Sequence, residues 1–574
     1  MFVPKNSRTD LRLVLCLSLL ASLPFANAPG NGFTFDDHLF VESNPAVSAK
    51  GFPYRAFLEA FEPGHLYRPL TVLSYWIQRR WLPGAAAFHS VNVALHVVVS
   101  CLVFLLARRR LSRPAAFAAA ALFAVHPVHT EAVTSVVGRA ESLAAGGVLA
   151  TLLCVGRSLE SPNPRFWSLA ASFFFACALL SKEHAFVALL LAPAFFLPAR
   201  KPAEWRRLVA TLLPSVAVGC LYLAWRWALL GSLGLPEPPD FLDNPAAYSP
   251  PAWRIATAAV VLSDYVRLFL WPLRLSADYS FPQVPPVRAL SDPRLLAAVL
   301  LFASSGLLAL ATRNRLPEIG RGVALAGLSF ALTANVFFPI GTIEAERLLY
   351  LPSVFLCLAL GSAVAAAAHG HPRPTAALFC AACALLACRT WMRNADWKSD
   401  LTLFRATVAT SPRSAKAHHN LAVVYADLGD PVRATAHFER AWRLHPSYAE
   451  AAFGVGRMYE IRGFLSTALG WYERAARIDP SLWKAHLNRG VLHYNRGAYR
   501  EAEAAFREGL ALVPRDARLL TGLGLSRLAL GDREGAIRLL ELAVRSDPVL
   551  PEARQGLELA LEARSQDSRR RVGS

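Results

Sequence analysis

Asp36 and Asp37 stand side by side in the run Phe33-Thr34-Phe35-Asp36-Asp37-His38, just beyond the first apolar segment of the chain. Two adjacent carboxylates at a bilayer surface repel each other and add little to a fold. Repulsion raises the proton affinity of one of them, and a carboxylate so tuned is suited to general-base chemistry. Other ionisable groups lie at the ends of apolar runs, where insertion is costly and each is a functional candidate by default. They are Tyr67-Arg68-Pro69-Leu70; His89, Asn92 and His96; His126-Pro127-Val128-His129-Thr130-Glu131 with Arg139 and Glu141; Lys182-Glu183; Arg226; Asp278-Tyr279; and Glu344-Ala345-Glu346-Arg347 with Tyr350.

Plainer readings compete with chemistry. His89, Asn92 and His96 share one helix face and could bond to neighbouring helices. His126, His129 and Glu131 could bind a divalent metal, but a proline-broken helix end also accounts for them. Glu344 and Glu346 could simply pair with Arg347, and Lys182-Glu183 could be an interface anchor. No zinc spacing is visible. Cys380 and Cys383 form a C-x-x-C inside an apolar run, where a packed helix face is the simpler account.

The elements that position these groups follow from composition. The 574 residues are 54% hydrophobic, with a mean hydropathy of +0.33, too apolar for an ordinary soluble protein. Apolar runs of spanning length fall at roughly 11–29, 88–106, 114–130, 141–157, 165–181, 184–198, 208–231, 294–312, 322–340, 348–368 and 375–392, about eleven crossings. The segment 253–275 carries Asp264, Arg267 and Arg274 and reads as an interfacial helix. Lys5, Arg8 and Arg12, Arg108-Arg109-Arg110 with Arg113, Arg200-Lys201 with Arg206-Arg207, and Arg313, Arg315 and Arg321 mark cytoplasmic loops. The acidic loop and the carboxyl-terminal part then lie outside. The formal charge of +19 is explained by these loops, so nucleic-acid binding is discounted. Lys5 to Arg12, the apolar 13–25 stretch and Ala26-Asn27-Ala28 also have the layout of a cleavable signal peptide, but the span is needed to build a polytopic body.

Pro412, Pro446, Pro480, Pro514 and Pro548 are 34 residues apart, as are Ala434, Ala468, Ala502 and Ala536, which is the tetratricopeptide period. Gly429, Gly463, Gly497 and Gly531 supply the turns. The expected organisation is all-α: a polytopic membrane domain over 1–392, a repeat domain over 397–564 (a half-repeat helix at 397–410, about four repeats and a capping helix), and a disordered basic tail over 565–574. His418, Asn420, His486 and Asn488 are expected to line the groove of the repeats.

Taken together, Phe35-Asp36-Asp37, Tyr67-Arg68-Pro69-Leu70-Thr71, His89-x-x-Asn92-x-x-x-His96, Val125 to Glu131 with Gly138-Arg139-Ala140-Glu141, Ser181-Lys182-Glu183 and Glu346-Arg347-x-x-Tyr350-Leu351-Pro352-Ser353 resemble the membrane glycosyltransferases of GT-C architecture. Among these they are most similar to the tetratricopeptide-bearing transmembrane O-mannosyltransferases. The resemblance implies transfer of a sugar, mannose in that family, from a polyprenyl-phosphate carrier to Ser or Thr hydroxyls of extracytoplasmic proteins. It implies no tightly bound cofactor. Asp36 or Asp37 would be the base, the other orienting the hydroxyl. Arg139, Lys182, Arg226 and Arg347 would hold the donor phosphate. Arg68, His89, Asn92, His96, His126, His129, Glu131, Glu141, Glu183, Asp278, Glu344, Glu346 and Tyr350 would complete the polar site. The implied partners are the lipid-linked sugar, membrane lipids and a protein acceptor held by the repeats. An Arg-rich, Ala-rich composition suggests a bacterial inner membrane with the repeats in the periplasm. Two rival readings are a non-enzymatic membrane-anchored scaffold for envelope assembly, and a lipid-linked-sugar transferase acting on polysaccharide or lipid.

Overall fold

A computed structural model describes residues 7–59, 66–196, 202–232 and 238–572. Lys5 and the Arg200-Lys201 loop lie outside the described residues. The described elements are helical, and they divide into two units, Met1–Pro412 and Arg413–Ser574.

In the first unit α1 (Ser7–Ser22) leads through two short turns to the acidic loop. There follow α2 (Pro69–Trp81), α3 (Ala85–Ala107), α4 (Arg113–Val125), α5 (Arg139–Glu160), α6 (Pro164–Ser181), α7 (Ala188–Phe196), α8 (Pro202–Leu230), α9 (Pro251–Leu270), α10 (Pro293–Thr312), α11 (Pro317–Ser329), α12 (Tyr350–Gly370), α13 (Pro372–Asp396) and α14 (Asp400–Thr410). Among the described residues eight helices are long and apolar enough to cross a membrane, and a ninth span forms if Arg113–Val125 and Pro127–Val133, bent by 50° at Pro127, count as one. Of the expected spans, 184–198 is described only as far as Phe196. The 13 residues of α11 would rise only about 20 Å at 1.5 Å per residue, short of a bilayer's ~30 Å core. Past α11 the chain turns at Asn335, whose φ is +59° and whose Oδ1 accepts the Ile340 amide at 2.8 Å. The expected interfacial segment forms α9, which is not among the span-like helices.

The core is built by helices in close contact. A Cβ on Gly147 would lie 2.7 Å from Ala178 Cβ, so that glycine lets α5 and α6 approach. Gly361 does the same for α12 against Ala115 and Ala119 of α4. Leu17, Ala21 and Phe25 of the first apolar segment are fully buried in this core.

The second unit consists of α15 (Ala415–Asp427), α16 (Pro431–Leu444), α17 (Ala449–Ile461), α18 (Leu465–Ile478), α19 (Trp483–Asn495), α20 (Tyr499–Leu512), α21 (Ala517–Ala529), α22 (Arg533–Ser546) and α23 (Pro551–Val572). Each second helix stops two residues before its proline, which cannot continue it. The turn glycines Gly429, Gly463, Gly497 and Gly531 have φ of +74° to +91°, a region costly for side-chain-bearing residues. Ala434, Ala468, Ala502 and Ala536 are wholly buried.

His418 is buried, His486 is buried yet lines an open cavity of about 630 Å³ with Arg477, Arg489 and His493, and Asn488 donates to Tyr472 Oη at 3.0 Å. Asn420 and Asn488 occupy the register of Gly454, which faces the Phe438 ring, so this register serves packing within the stack. Val423, Arg457 and Val491, again one repeat apart, are exposed on the first helices. The expected half-repeat, α14, falls in the first unit rather than with the repeats. The last helix runs to Val572, since residues 551–572 contain no glycine beyond Gly556 and no internal proline to end it.

Candidate active site

The acidic loop is held from three directions. Phe35 has φ +53°, a left-handed conformation that costs a bulky residue about 1–2 kcal/mol, so contacts must impose it. Its amide donates to Asp400 Oδ1 at 2.8 Å, and its ring meets Phe404 edge-on at 5.5 Å. Both partners belong to α14. His38 bridges Asp400 Oδ2, at 2.9 Å, and Glu42. Burial lowers the proton affinity of His38, but these two carboxylates outweigh it and leave its pKa raised, so both ring nitrogens donate. From α13 and its end, Asn394 donates to Pro24 O and Asn27 Oδ1, while Lys398 O accepts the Gly32 amide at 3.1 Å.

The two aspartates have different environments. Asp37 is fully buried; its Oδ1 accepts the Val137 amide at 2.9 Å and the Ser135 hydroxyl at 3.4 Å, and its Oδ2 accepts the Thr34 amide at 3.2 Å. Burial pushes its pKa up to about 7, against the lowering effect of these amides. Asp36 is half-buried and lies within electrostatic reach of the Arg347 guanidinium. A base must first be reachable, whatever its pKa. Asp37 therefore anchors the loop, and Asp36 is the more accessible of the two carboxylates.

Around Asp36 the charged groups form one connected array. Arg347 pairs with Glu131, whose Oε2 also accepts the Arg347 amide at 2.9 Å. Lys182 pairs with Glu141, with His184 Nε2 3.6 Å from the same carboxylate. Arg68 Nε lies 3.7 Å from Glu183 Oε2, and Glu183 also feels Arg226 and Lys182. The elements explain the convergence. Lys182 and Glu183 follow α6 in extended backbone, Glu141 begins α5, Arg226 is in the last turns of α8, and Arg68 precedes α2. Arg226 is 8% exposed, yet its Nε and Nη1 have no hydrogen-bond partner, and buried Arg68 Nε makes no hydrogen bond beyond its 3.7 Å ion pair with Glu183. Buried guanidinium donors left unused are costly, and a multivalent oxyanion would satisfy them.

Other expected site residues are engaged in structure. Arg139 is fully buried, donating to Asn92 Oδ1 at 2.8 Å, Gln78 Oε1 at 2.6 Å and Phe88 O at 3.1 Å, between the rings of Tyr75 and Phe88. That leaves it no face for a phosphate. His89 donates to Gly32 O at 3.1 Å, so it supports the acidic loop from behind. His96 donates to Ala124 O at 3.1 Å and so accepts from Tyr350 Oη at 2.8 Å. His126 donates to Phe269 O at 2.9 Å and His129 to Ser353 Oγ at 2.8 Å, while Glu131 turns to Arg347. These three do not converge, and among the described residues no group of three or more His, Cys, Asp or Glu is arranged to hold a metal. Glu346 Oε1 accepts from Tyr279 Oη at 2.7 Å, with buried Arg393 at 3.9 Å from its other oxygen. Glu344 makes no pair with Arg347; it is buried with neither carboxylate oxygen bonded, and burial holds its pKa well above the usual range. Asp278 Oδ1 accepts the Ser280 amide at 2.6 Å, capping a turn.

His38, His184, Arg393, Asn394 and Asp400 were not singled out by sequence. Arg393-Asn394 carried a signal, being polar residues at the end of an apolar run. Asp400 carried none beyond its place at the start of a helix.

Comparison with known proteins agrees with this layout. Residues 236–306 match the family described as "Protein O-mannosyl-transferase TMTC, DUF1736", residues 84–227 that described as "Dolichyl-phosphate-mannose-protein mannosyltransferase", and residues 419–482 and 485–551 the tetratricopeptide repeat. Along most of its length the chain resembles the TMTC protein O-mannosyl-transferases. It is 30% identical to human TMTC4, over 74% of this chain and 65% of that one. It is 28% identical to human TMTC3, over 84% and 58%, and 29% identical to the Caenorhabditis elegans protein O-mannosyl-transferase F38B6.6, over 78% and 64%. The chain thus spans 58–65% of the length of these TMTC relatives. The segment matching the mannosyltransferase family contains Glu131, Glu141, Lys182, Glu183 and Arg226.

Proposed function

We propose that this chain transfers mannose from a polyprenyl-phosphate carrier to Ser and Thr hydroxyls of extracytoplasmic proteins. Asp36 takes the hydroxyl proton as the oxygen attacks the anomeric carbon, the bond from that carbon to the phosphate oxygen breaks, and the lipid phosphate leaves. Arg68, Lys182, Arg226 and Arg347 hold the phosphate as its charge builds up. A single displacement inverts the anomeric configuration. Asp37 fixes the loop so that Asp36 points at the acceptor. The repeats raise the acceptor's effective concentration near the site.

The observation that carries this reading is the half-buried Asp36 beside Arg347, contiguous with buried guanidinium donors of Arg68 and Arg226 that make no hydrogen bond. The names of the TMTC relatives support the sugar and the protein acceptor. Glycopeptide mass spectrometry of envelope proteins tests it in cells. Hexose on Ser or Thr should be present with the wild-type gene and absent from both the deletion strain and the Asp36→Asn strain. Unchanged glycopeptides in the deletion strain would reject the protein acceptor.

A further inference from the structure

The membrane unit carries a second polar feature at its other end. α3 starts beside the acidic loop, where His89 bonds Gly32, and runs 23 residues to Ala107, a rise of about 34 Å. α12 runs in the same sense from Tyr350 to Gly370. Where these helices end, the turn after α3, the turn between α10 and α11 and the last turns of α12 border an open cavity of about 420 Å³, lined by Arg110, Ser112, Arg315, Glu318, Ser362 and His369 among others.

Its lining carries more basic than acidic side chains, Arg110, Arg315 and His369 against Glu318. Arg110 is held in place by a bond to Phe195 O and by the Phe195 ring, 5.3 Å from its guanidinium. Arg315 is exposed and makes no ion pair among the described residues. The one acidic lining residue, Glu318, is already paired with Arg321 outside the lining. The first turns of α4 and α11 open on the same space, and neither Ser112 nor Leu316 caps them with a side chain, so their leading amides add to the positive field. Beside it α10 exposes Leu307, Leu308 and Leu310, each more than half exposed, immediately before Arg313-Asn314-Arg315. Apolar side chains at acyl depth, followed by guanidinium groups at headgroup depth, are the arrangement that receives an anionic phospholipid.

We propose that this cavity binds the phosphate of an anionic lipid headgroup, with Arg110 and Arg315 as its ligands and the exposed face of α10 against the acyl chains. The site is separate from the acidic loop and does not depend on the reaction assigned there. The test uses the detergent-purified full chain, titrated with dioctanoyl phosphatidylglycerol, dioctanoyl phosphatidylcholine or inorganic phosphate and read by native mass spectrometry. Wild-type protein should retain phosphatidylglycerol in preference to phosphatidylcholine. Arg315→Glu should weaken that binding about tenfold. Arg373→Glu, an exposed charge reversal in the first turn of α13 outside the cavity lining, should leave it unchanged. Equal lipid retention by wild type and Arg315→Glu would overturn the proposal. So would binding of inorganic phosphate as strong as that of the lipid, which would assign the cavity to a soluble anion, or an equal loss in Arg373→Glu, which would reduce the effect to surface charge.

Discussion

Replacing Asp400 with alanine should impair transfer although the residue touches no substrate in the proposed scheme. The side chain makes two contacts to the acidic loop, the Phe35 amide at 2.8 Å and His38 Nε2 at 2.9 Å. A hydrogen bond to a charged acceptor is worth about 1.5–3 kcal/mol. The His38 contact, with side chains 47% and 28% exposed, adds at most ~1 kcal/mol. Against them stands the left-handed Phe35, at φ +53°, which favours release of the loop by about 1–2 kcal/mol once its amide is unpaired. Losing about 2 kcal/mol of loop preference is a factor of ~30 in the equilibrium. With purified protein, a polyprenyl-phosphate mannose donor and a Ser/Thr peptide, Asp400→Ala should lower kcat/KM by about 10- to 30-fold with an unchanged thermal midpoint for the repeats. Asp400→Asn keeps a carbonyl oxygen for the Phe35 amide and loses only the charge facing His38, so about a threefold loss is expected. Activity of Asp400→Ala within about twofold of wild type would refute the clamp.

Three further outcomes follow from the same geometry. Arg139→Ala leaves the buried oxygens of Asn92 and Gln78 unpaired, and should lower stability by about 3 kcal/mol in thermal unfolding while the folded fraction keeps its donor KM; a raised KM without loss of stability would return Arg139 to the phosphate site. Because burial raises Asp37 from its ordinary 3.8 to about 7, its contribution to stability is present below 3.8 and lost as pH rises through about 7; the thermal midpoint should therefore fall from about pH 4 to pH 7 and level off above it in wild type, with a flatter profile in Asp37→Asn. Removing residues 413–574 should spare transfer to a short peptide but weaken modification of whole proteins, whereas removing 397–574 should abolish both, because Asp400 and Phe404 go with it. Equal peptide activity in the two truncations would contradict the role given to α14.

What the sequence could reveal depended on whether a feature is written in local pattern. The 34-residue period fixed the repeats through their proline stops and turn glycines. The polar groups at helix ends identified Lys182, Glu183, Arg226, Glu131 and Arg347 because lipid forbids idle charge there. Sequence could not separate Arg139, buried against Asn92 and Gln78, from Arg226, whose donors have no partner, since that difference lies in which helices face each other. His96, His126 and His129 looked like a site for the same reason; they are interhelical hydrogen bonds between α3, α4 and α12 and their neighbours. Polarity alone did not say which repeat residues face inward: His418 is buried and Asn488 donates to Tyr472, while His486 lines an open cavity. The link from Asp400 to Phe35 spans 365 residues and leaves no local trace. The expected 322–340 span fell short because apolar length in sequence does not register a turn such as that at Asn335.

The assignment of Asp36 as the base is tested most directly by kcat for mannosyl transfer from a polyprenyl-phosphate donor to a Ser/Thr peptide, measured for wild type, Asp36→Asn and Asp37→Asn alongside donor binding. Asp36→Asn should keep donor affinity and stability and lose about 10²- to 10⁴-fold in kcat, while Asp37→Asn should lose stability together with activity. Retained kcat in Asp36→Asn, with the loss confined to Asp37→Asn, would contradict the assignment and make the buried carboxylate the base.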